Sequence, residues 1–430
     1  MESKAKTTVT FHSGILTIGG TVIEVRYGDA HIFFDFGTEY RPELGLKDDQ
    51  LSTLLDNRLI PELKDIYDPR LGYEYQGPAV ADFQHTAVFL SHAHLDHSKM
   101  INYLDPAIPL YTLKETDAIL RSLNRNGDFL IPSPFEAANF TRNMIGLNAG
   151  DVVEIGEITV TILPVDHDAY GAAALLIRTP DKFLVYTGDL RLHGYERKLT
   201  FDFCERAKGC DLLMMEGVSI SFDDRPEDPT ETIKIVSEAD LVQQLVRLEN
   251  ENPQRQLTFN GYPANVKRFA KIVELSPRTV VLEANMAALL QEVLGINANY
   301  YYADPTHRIE ALADELEIPL AVLLTDDHQY LWQIVDGFEN LQAGGMYFHI
   351  DAQPLGDFDP AYQVFLDLLA SLDVEFVRLA CSGHAFPADL AKIIDMIQPK
   401  TLVPIHTLKP EKLVNPYGER ILPTRGETIS

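Results

Sequence analysis

The sequence predicts an α/β protein in which a strand-rich outer domain is interrupted by an inserted α/β domain. Three observations predict it. Short alternating strands separated by glycine-containing breaks fill the first part of the chain. From about 218 to 373 helical and strand patterns alternate, as they do in parallel βα units. Strand and helix patterns then return, closing the outer domain. A length of 430 residues, 46% of them apolar and 23% charged, suits two or three globular domains rather than a disordered chain.

In order along the chain, TVTF, ILTI, TVIEVRY and HIFFDF read as a meander, broken at Ser13-Gly14, Gly19-Gly20 and Gly28-Asp29. Residues 39–85 are polar and carry Pro42, Pro61, Pro69 and Pro78, so they read as an insertion with one or two short helices. TAVFLS is a buried strand running straight into SHAHLDHS. A strand and helix cover 110–124. VVEI, ITVTILPV, AAALLIRT, KFLVYTG and CDLLMMEG follow as strands. In the insert, helical patterns lie at 230–248, 264–275, 284–294, 308–316 and 361–369, and strands at 256–259, 279–283, 300–303 and 345–350. VEFVRLACSGH, a helix at 388–397 and TLVPIHT complete the outer domain. The expected division is 1–216 with 376–430 as one discontinuous domain, and 217–375 as the insert.

The chain holds 36 Lys and Arg against 64 Asp and Glu, a formal charge of −28. Such a balance repels nucleic acid and anionic membranes at long range unless the charge is unevenly placed. It is uneven: residues 376–430 have seven bases and five acids, including Lys400, Lys409, Lys412, Arg420 and Arg425. Contact with a polyanion is therefore expected at that rim, weak and salt-dependent. Cys204, Cys210 and Cys381 fit no zinc-ribbon spacing and read as buried thiols in a reducing cytoplasm. No apolar leader and no membrane-length apolar run is read.

The strongest chemical signal is His92-Ala93-His94-Leu95-Asp96-His97, four donors in six residues just past a buried strand. Imidazole and carboxylate suit zinc and other first-row divalent ions. So short a loop cannot complete two coordination shells, and partners are sought at the ends of other apolar strands: His167, Asp189, His384 and His406. GGTVIE and AGGM match no phosphate-loop pattern. Tyr300, Tyr301 and Tyr302 read as a buried strand, and His12, His31, His85, His193, His307, His328 and His349 as packing or surface residues.

SHAHLDHS resembles the HxHxDH motif of the metallo-β-lactamase fold. PVDHDAYGA, YTGDLRLHG and FFDFG resemble that fold's next histidine, its bridging aspartate and its first motif. Glu216 in DLLMMEG, SGHAFPADL and PIHT resemble motifs A, B and C of its β-CASP branch, and the insert falls where that branch carries its own domain. The resemblance, to ribonuclease J and its relatives, runs from about residue 8 to 416. It implies an αββα sandwich with a β-CASP insert, and a metal-dependent hydrolase that cuts single-stranded RNA, with endonucleolytic and 5′-exonucleolytic action both open. A histidine at motif C goes with RNA-processing members. The alternatives are a hydrolase of small esters or phosphodiesters and a non-catalytic RNA- or protein-binding relative.

The resemblance further implies two divalent ions, zinc first and manganese second. His92, His94 and His167 would hold one, Asp96, His97 and His406 the other, with Asp189 bridging. Asp96 would also orient or deprotonate water. His384 would contact phosphate or act as acid, with Ser382 beside it in substrate binding. Asp35 and Glu216 would orient ligating imidazoles. Relatives often dimerise. Phe386 stands where the family's motif B commonly has serine.

Overall fold

The computed structural model describes residues 5–39, 41–75, 85–222, 235–306, 308–325, 328–356 and 359–430. The chain forms two compact units: Met1–Leu192, Glu196–Arg225 and Gly383–Ser430 make one, and His193–Tyr195 with Pro226–Ser382 the other.

The first unit begins with β1 (Thr8–Ser13), β2 (Val22–Tyr27), β3 (Ala30–Phe34), β4 (Thr86–Phe89), β5 (Leu110–Leu113) and β6 (Ile145–Leu147), side by side in chain order. The pairings are antiparallel as far as β3 and parallel from there to β6. A second sheet follows: β7 (Val152–Ile155), β8 (Ile158–Pro164) and β9 (Ala173–Arg178) run antiparallel, then β10 (Phe183–Tyr186) and β11 (Leu212–Glu216) run parallel to each other.

The second unit has one six-stranded sheet with every pairing parallel, built from β12 (Leu257–Gly261), β13 (Thr279–Glu283), β14 (Asn299–Tyr301), β15 (Tyr330–Gln333), β16 (Met346–Ile350) and β17 (Glu375–Arg378). The chain then returns to the first unit. There β18 (Thr401–Ile405) lies beside β11, β19 (Glu419–Arg420) beside β18, and β20 (Thr428–Ile429) closes the free edge of β1.

Alternation buries one side of each sheet of the first unit against the other. Phe11, Val25, Ile32 and Phe89 from one sheet share a core with Val160, Leu175, Tyr186 and Val403 from the other. Each such side chain contributes roughly 1.5–3 kcal/mol by leaving water. The outer face of the second sheet is covered by the helices Arg197–Ala207 and Pro387–Ile397, through Phe203, Leu390, Ile393 and Ile397. The latter helix starts on a proline at its first position and presents Leu390, Ile393, Ile394 and Ile397 on one face. The helix Lys114–Leu123 packs on β5 and β6. The layers are therefore helix, sheet, sheet, helix, as the predicted fold class requires.

Three local expectations change. ILTI (15–18) forms bends rather than a strand, because the left-handed residues Gly14, Leu16, Gly19 and Gly20 turn the chain repeatedly. The helical pattern at 308–316 yields only a 3-10 turn at Asp314–Leu316. YLWQ forms β15, a strand too short to stand out in the sequence. Tyr300, Tyr301 and Tyr302 are buried, as are Cys204, Cys210 and Cys381. Among its described residues the 39–85 insertion has one short helix, Leu51–Asp56, and 3-10 turns at Pro42–Leu44 and Pro69–Leu71; its residues 40 and 76–84 lie outside the described residues, as do His307 and residues 230–234 of an expected helix. Among the described residues no helix is long and apolar enough to cross a membrane.

Candidate metal centre

The parallel pairs β3–β4 and β10–β11–β18 send their C-terminal ends the same way, and each delivers a polar residue there. Asp35 follows β3, His92 to His97 follow β4, Asp189 follows β10, Glu216 ends β11 and His406 follows β18. His167 follows β8. Asp35 and His406 hold left-handed backbone conformations, at φ 56° and 52°. Non-glycine residues rarely do so, at a cost on the order of 1–2 kcal/mol, and such strain concentrates at functional positions. Two glycines make room for the Asp96 segment. A Cβ on Gly37 would lie 1.9 Å from the Asp96 carbonyl carbon, and one on Gly19 would lie 2.5 Å from Asp96 Cβ. The Gly19-Gly20 pair thus serves this centre, with the Gly20 amide donating to the Asp96 carbonyl at 2.9 Å.

Five imidazoles converge on one oxygen. Asp189 Oδ2 lies 3.3 Å from His97 Nε2, 3.6 Å from His92 Nε2, 3.8 Å from His384 Nδ1, 3.8 Å from His406 Nε2 and 3.9 Å from His167 Nε2. Asp96 Oδ2 sits 3.5 Å from both His97 Nε2 and His406 Nε2. His94 Nδ1 lies 3.1 Å from His167 Nε2. Three overlapping groups have donor atoms within 4.8 Å of one another: His92, His94, His167 and Asp189; Asp96, His97 and His406; and Asp189, His384 and His406.

The far sides of several rings are fixed by hydrogen bonds. The Ser91 amide and hydroxyl donate to Asp35 at 2.6 and 2.8 Å, so the hydroxyl oxygen is left to accept His92 Nδ1–H at 2.9 Å. His97 Nδ1–H donates to Asp35 Oδ2 at 2.8 Å, an oxygen that also accepts from the Tyr186 hydroxyl. His167 Nδ1–H donates to the Gly383 carbonyl at 2.6 Å. Each bond turns a ring's Nε2 inward. Glu216 holds another ring by the same nitrogen that faces Asp189: its Oε2 accepts from the Val218 amide at 2.9 Å and its Oε1 lies 3.3 Å from His384 Nδ1. Asp35 thus faces His97, and Glu216 faces His384.

Burial pushes His167 down to about 3 and lowers His92 and His406, so these rings are neutral and offer lone pairs. Burial also works against a charged His97, but Asp189, Asp96 and Asp35 outweigh it and raise its pKa. His384 goes up to about 9, with Glu216 and Asp189 overcoming its desolvation. Asp189 is lowered despite its burial, by His406, His97 and His384.

The donor chemistry fits divalent ions. His92 Nε2, His97 Nε2, His406 Nε2 and Asp189 Oδ2 are buried atoms with no hydrogen-bond partner. Four orphaned polar atoms aimed at one another are costly unless a cation satisfies them. Asp96, His94 and His384 are the more exposed members, with side chains 25%, 15% and 21% accessible, against 2% for Asp189. Ser382 falls in the second unit, where its carbonyl accepts His193 Nε2–H at 2.8 Å. Sequence reasoning missed Ser91, Tyr186 and Asp168. Asp168 was open to view, directly beside His167; Ser91 and Tyr186 look like ordinary strand-end residues.

Residues 69–246 match the family model described as a beta-lactamase superfamily domain. The chain is 22% identical over 357 residues to the ribonuclease J of Pyrococcus abyssi (strain GE5 / Orsay), covering 74% of each. It is 73% identical to a protein of unknown function from Enterococcus faecalis V583 whose crystal structure is solved, with a TM-score of 0.95 over 99% of both chains. The chain is thus a hydrolase of the metallo-β-lactamase fold with a resemblance to ribonuclease J.

Proposed function

We propose that this chain is a metal-dependent ribonuclease, in which the first unit is the catalytic metallo-β-lactamase domain and the second a β-CASP domain. The observation that carries the reading is Asp189 Oδ2, buried without a hydrogen bond and ringed by five imidazoles. In this reading His92, His94 and His167 would hold one divalent ion and Asp96, His97 and His406 a second, with the Asp189 carboxylate available to both. Zinc suits the donors, with manganese as the alternative. Bound there, such ions would lower the pKa of water from 15.7 toward about 7 and offset charge on phosphoryl oxygens.

The chain's own residues do the rest. Asp35 holds the His97 ring in place through the 2.8 Å bond. Asp96, on the accessible side, orients the attacking water and accepts its proton. His384, kept protonated by Glu216, places a positive charge on a phosphoryl oxygen and can give its proton to the leaving oxygen. RNA is favoured as substrate by the histidine at position 406 and by the similarity to ribonuclease J. End-labelled RNA bearing a 5′-monophosphate or triphosphate tests this, with zinc and manganese in turn. Cleavage lost with chelator and in His94→Ala supports the reading; intact RNA under every metal condition sinks it.

A second reading, hydrolysis of a small ester or phosphodiester, draws support from the charge of −28 and from the basic rim. Three of its five cations are engaged within the chain: Lys400 with Asp211 at 2.7 Å, Arg425 with Glu39 at 3.2 Å, and Arg420 with the Glu411 and Leu413 carbonyls. A panel of chromogenic esters and cyclic nucleotides separates the two readings.

A further inference from the structure

Asp168 belongs to none of the three donor groups, yet its Oδ1 is a buried atom with no hydrogen-bond partner. That oxygen lies 3.3 Å from His94 Nε2 and 3.3 Å from His167 Nε2. His94 presents its other nitrogen, Nδ1, 3.1 Å from His167 Nε2 and so toward the donor group these residues share. An imidazole whose Nδ1 faces an ion carries its proton on Nε2, here the nitrogen beside Asp168.

We propose that Asp168 is the positioning residue of His94: its carboxylate accepts the Nε2–H and thereby fixes Nδ1 as the nitrogen that faces the ion. This rests on the metal-centre reading above. The surroundings hold Asp168 for that task. The neighbouring Asp166 pairs with Arg191 (Oδ1 to Nε 3.0 Å), and Arg191 donates to the His167 carbonyl at 3.3 Å, so the backbone on both sides of His167 is clamped. A Cβ on Gly383 would stand 2.4 Å from Asp168 Oδ1. The carboxylate thus occupies space that only a glycine leaves, and the same Gly383 carbonyl takes the proton of His167 Nδ1. One turn of chain serves both rings.

The test is zinc competition against a chromophoric chelator on the full-length chain, comparing wild type, Asp168→Ala and Asp168→Asn. Removing the acceptor should weaken one of the two binding events about 10–100-fold and leave the other unchanged. Asparagine keeps an acceptor oxygen, so Asp168→Asn should bind within about threefold of wild type on the same scale. Imidazole ¹⁵N spectra should show His94 as the Nε2–H tautomer in wild type and Asp168→Asn, and a mixture in Asp168→Ala, which a purely structural role would not produce. An alanine variant with both affinities unchanged overturns the proposal. So does an asparagine variant as weak as alanine, which would make the carboxylate's charge or direct ligation the active feature. Wild type that binds no zinc at all is a separate outcome: it defeats the metal-centre reading before any variant is compared.

Discussion

In the first unit Asp189 is 2% exposed and its Oδ2 faces five ring nitrogens without accepting a hydrogen bond. In the second unit Arg268 is 1% exposed and donates to both oxygens of Glu238 at 2.8 Å, to Asp351 at 2.9 Å, and to the Ile350 and Cys381 carbonyls. Asp351 accepts a further bond from the Cys381 amide at 3.0 Å, and Asn265 donates to Glu238 at 3.1 Å. Both clusters are buried charge. One is closed by its own partners, and the other is open until something positive enters. Buried charge is therefore no signal of function by itself; several orphaned atoms aimed at one another are.

The largest effect should come from breaking the open cluster. Asp189→Asn is expected to weaken ion binding at both positions and to lower RNA cleavage by about 10³-fold or more. Its thermal stability without added metal should fall modestly, because the charge that Asp189 presents to His97, His384 and His406 is gone. Activity assays and melting curves on the same preparation check both.

Breaking the closed cluster should do the reverse. Arg268→Met removes the cation from the fully buried Glu238 carboxylate. The expected cost is about 3–5 kcal/mol in urea unfolding. Zinc stoichiometry in the folded fraction should stay at the wild-type value.

Glu216→Gln probes the edge of the open cluster. His384 is raised from 6.5 to about 9, so the stability it contributes is fully present below 6.5 and lost as pH rises through 9. Removing the Glu216 charge should move the His384 titration downward and flatten stability over that window. An NMR titration of the His384 ring in the absence of metal reads this directly; an unchanged midpoint would contradict the role given to Glu216.

The smallest effect sharpens the comparison from within the second unit. Burial pushes Glu249 up to about 7, against the lowering influence of Ser276, whose hydroxyl donates to it at 2.7 Å. A carboxylate with a raised folded pKa favours folding at low pH, and the gain is lost as pH rises from 4.5 through 7. Glu249→Gln should flatten that slope and raise stability at pH 8. A slope identical to wild type would mean that Glu249 is ionised in the folded state.

Much of this was legible in the sequence, for physical reasons. The run from His92 to His97 is dense enough to read alone, and His167, Asp189 and His406 stand at the ends of apolar strands, where parallel sheets deliver side chains. The glycine pair at 19–20 reads in the sequence only as a break, since its role depends on Asp96, distant in sequence. That Glu216 faces His384 rather than one of the expected ligands is likewise a matter of three-dimensional register between β11 and the segment after Ser382. ILTI looked like a strand because its apolar pattern outweighed the turns on either side. The 308–316 pattern failed as a helix because periodicity there was not matched by burial: Arg308, Glu310, Asp314 and Glu315 leave no continuous apolar face.

The most direct test of the central claim is isothermal titration of the full-length chain, stripped with chelator, with zinc. The account predicts two ions per chain, with one binding event lost in His94→Ala and both weakened in Asp189→Asn. Fewer than one ion per chain, or the same binding in Asp189→Asn as in wild type, would contradict it.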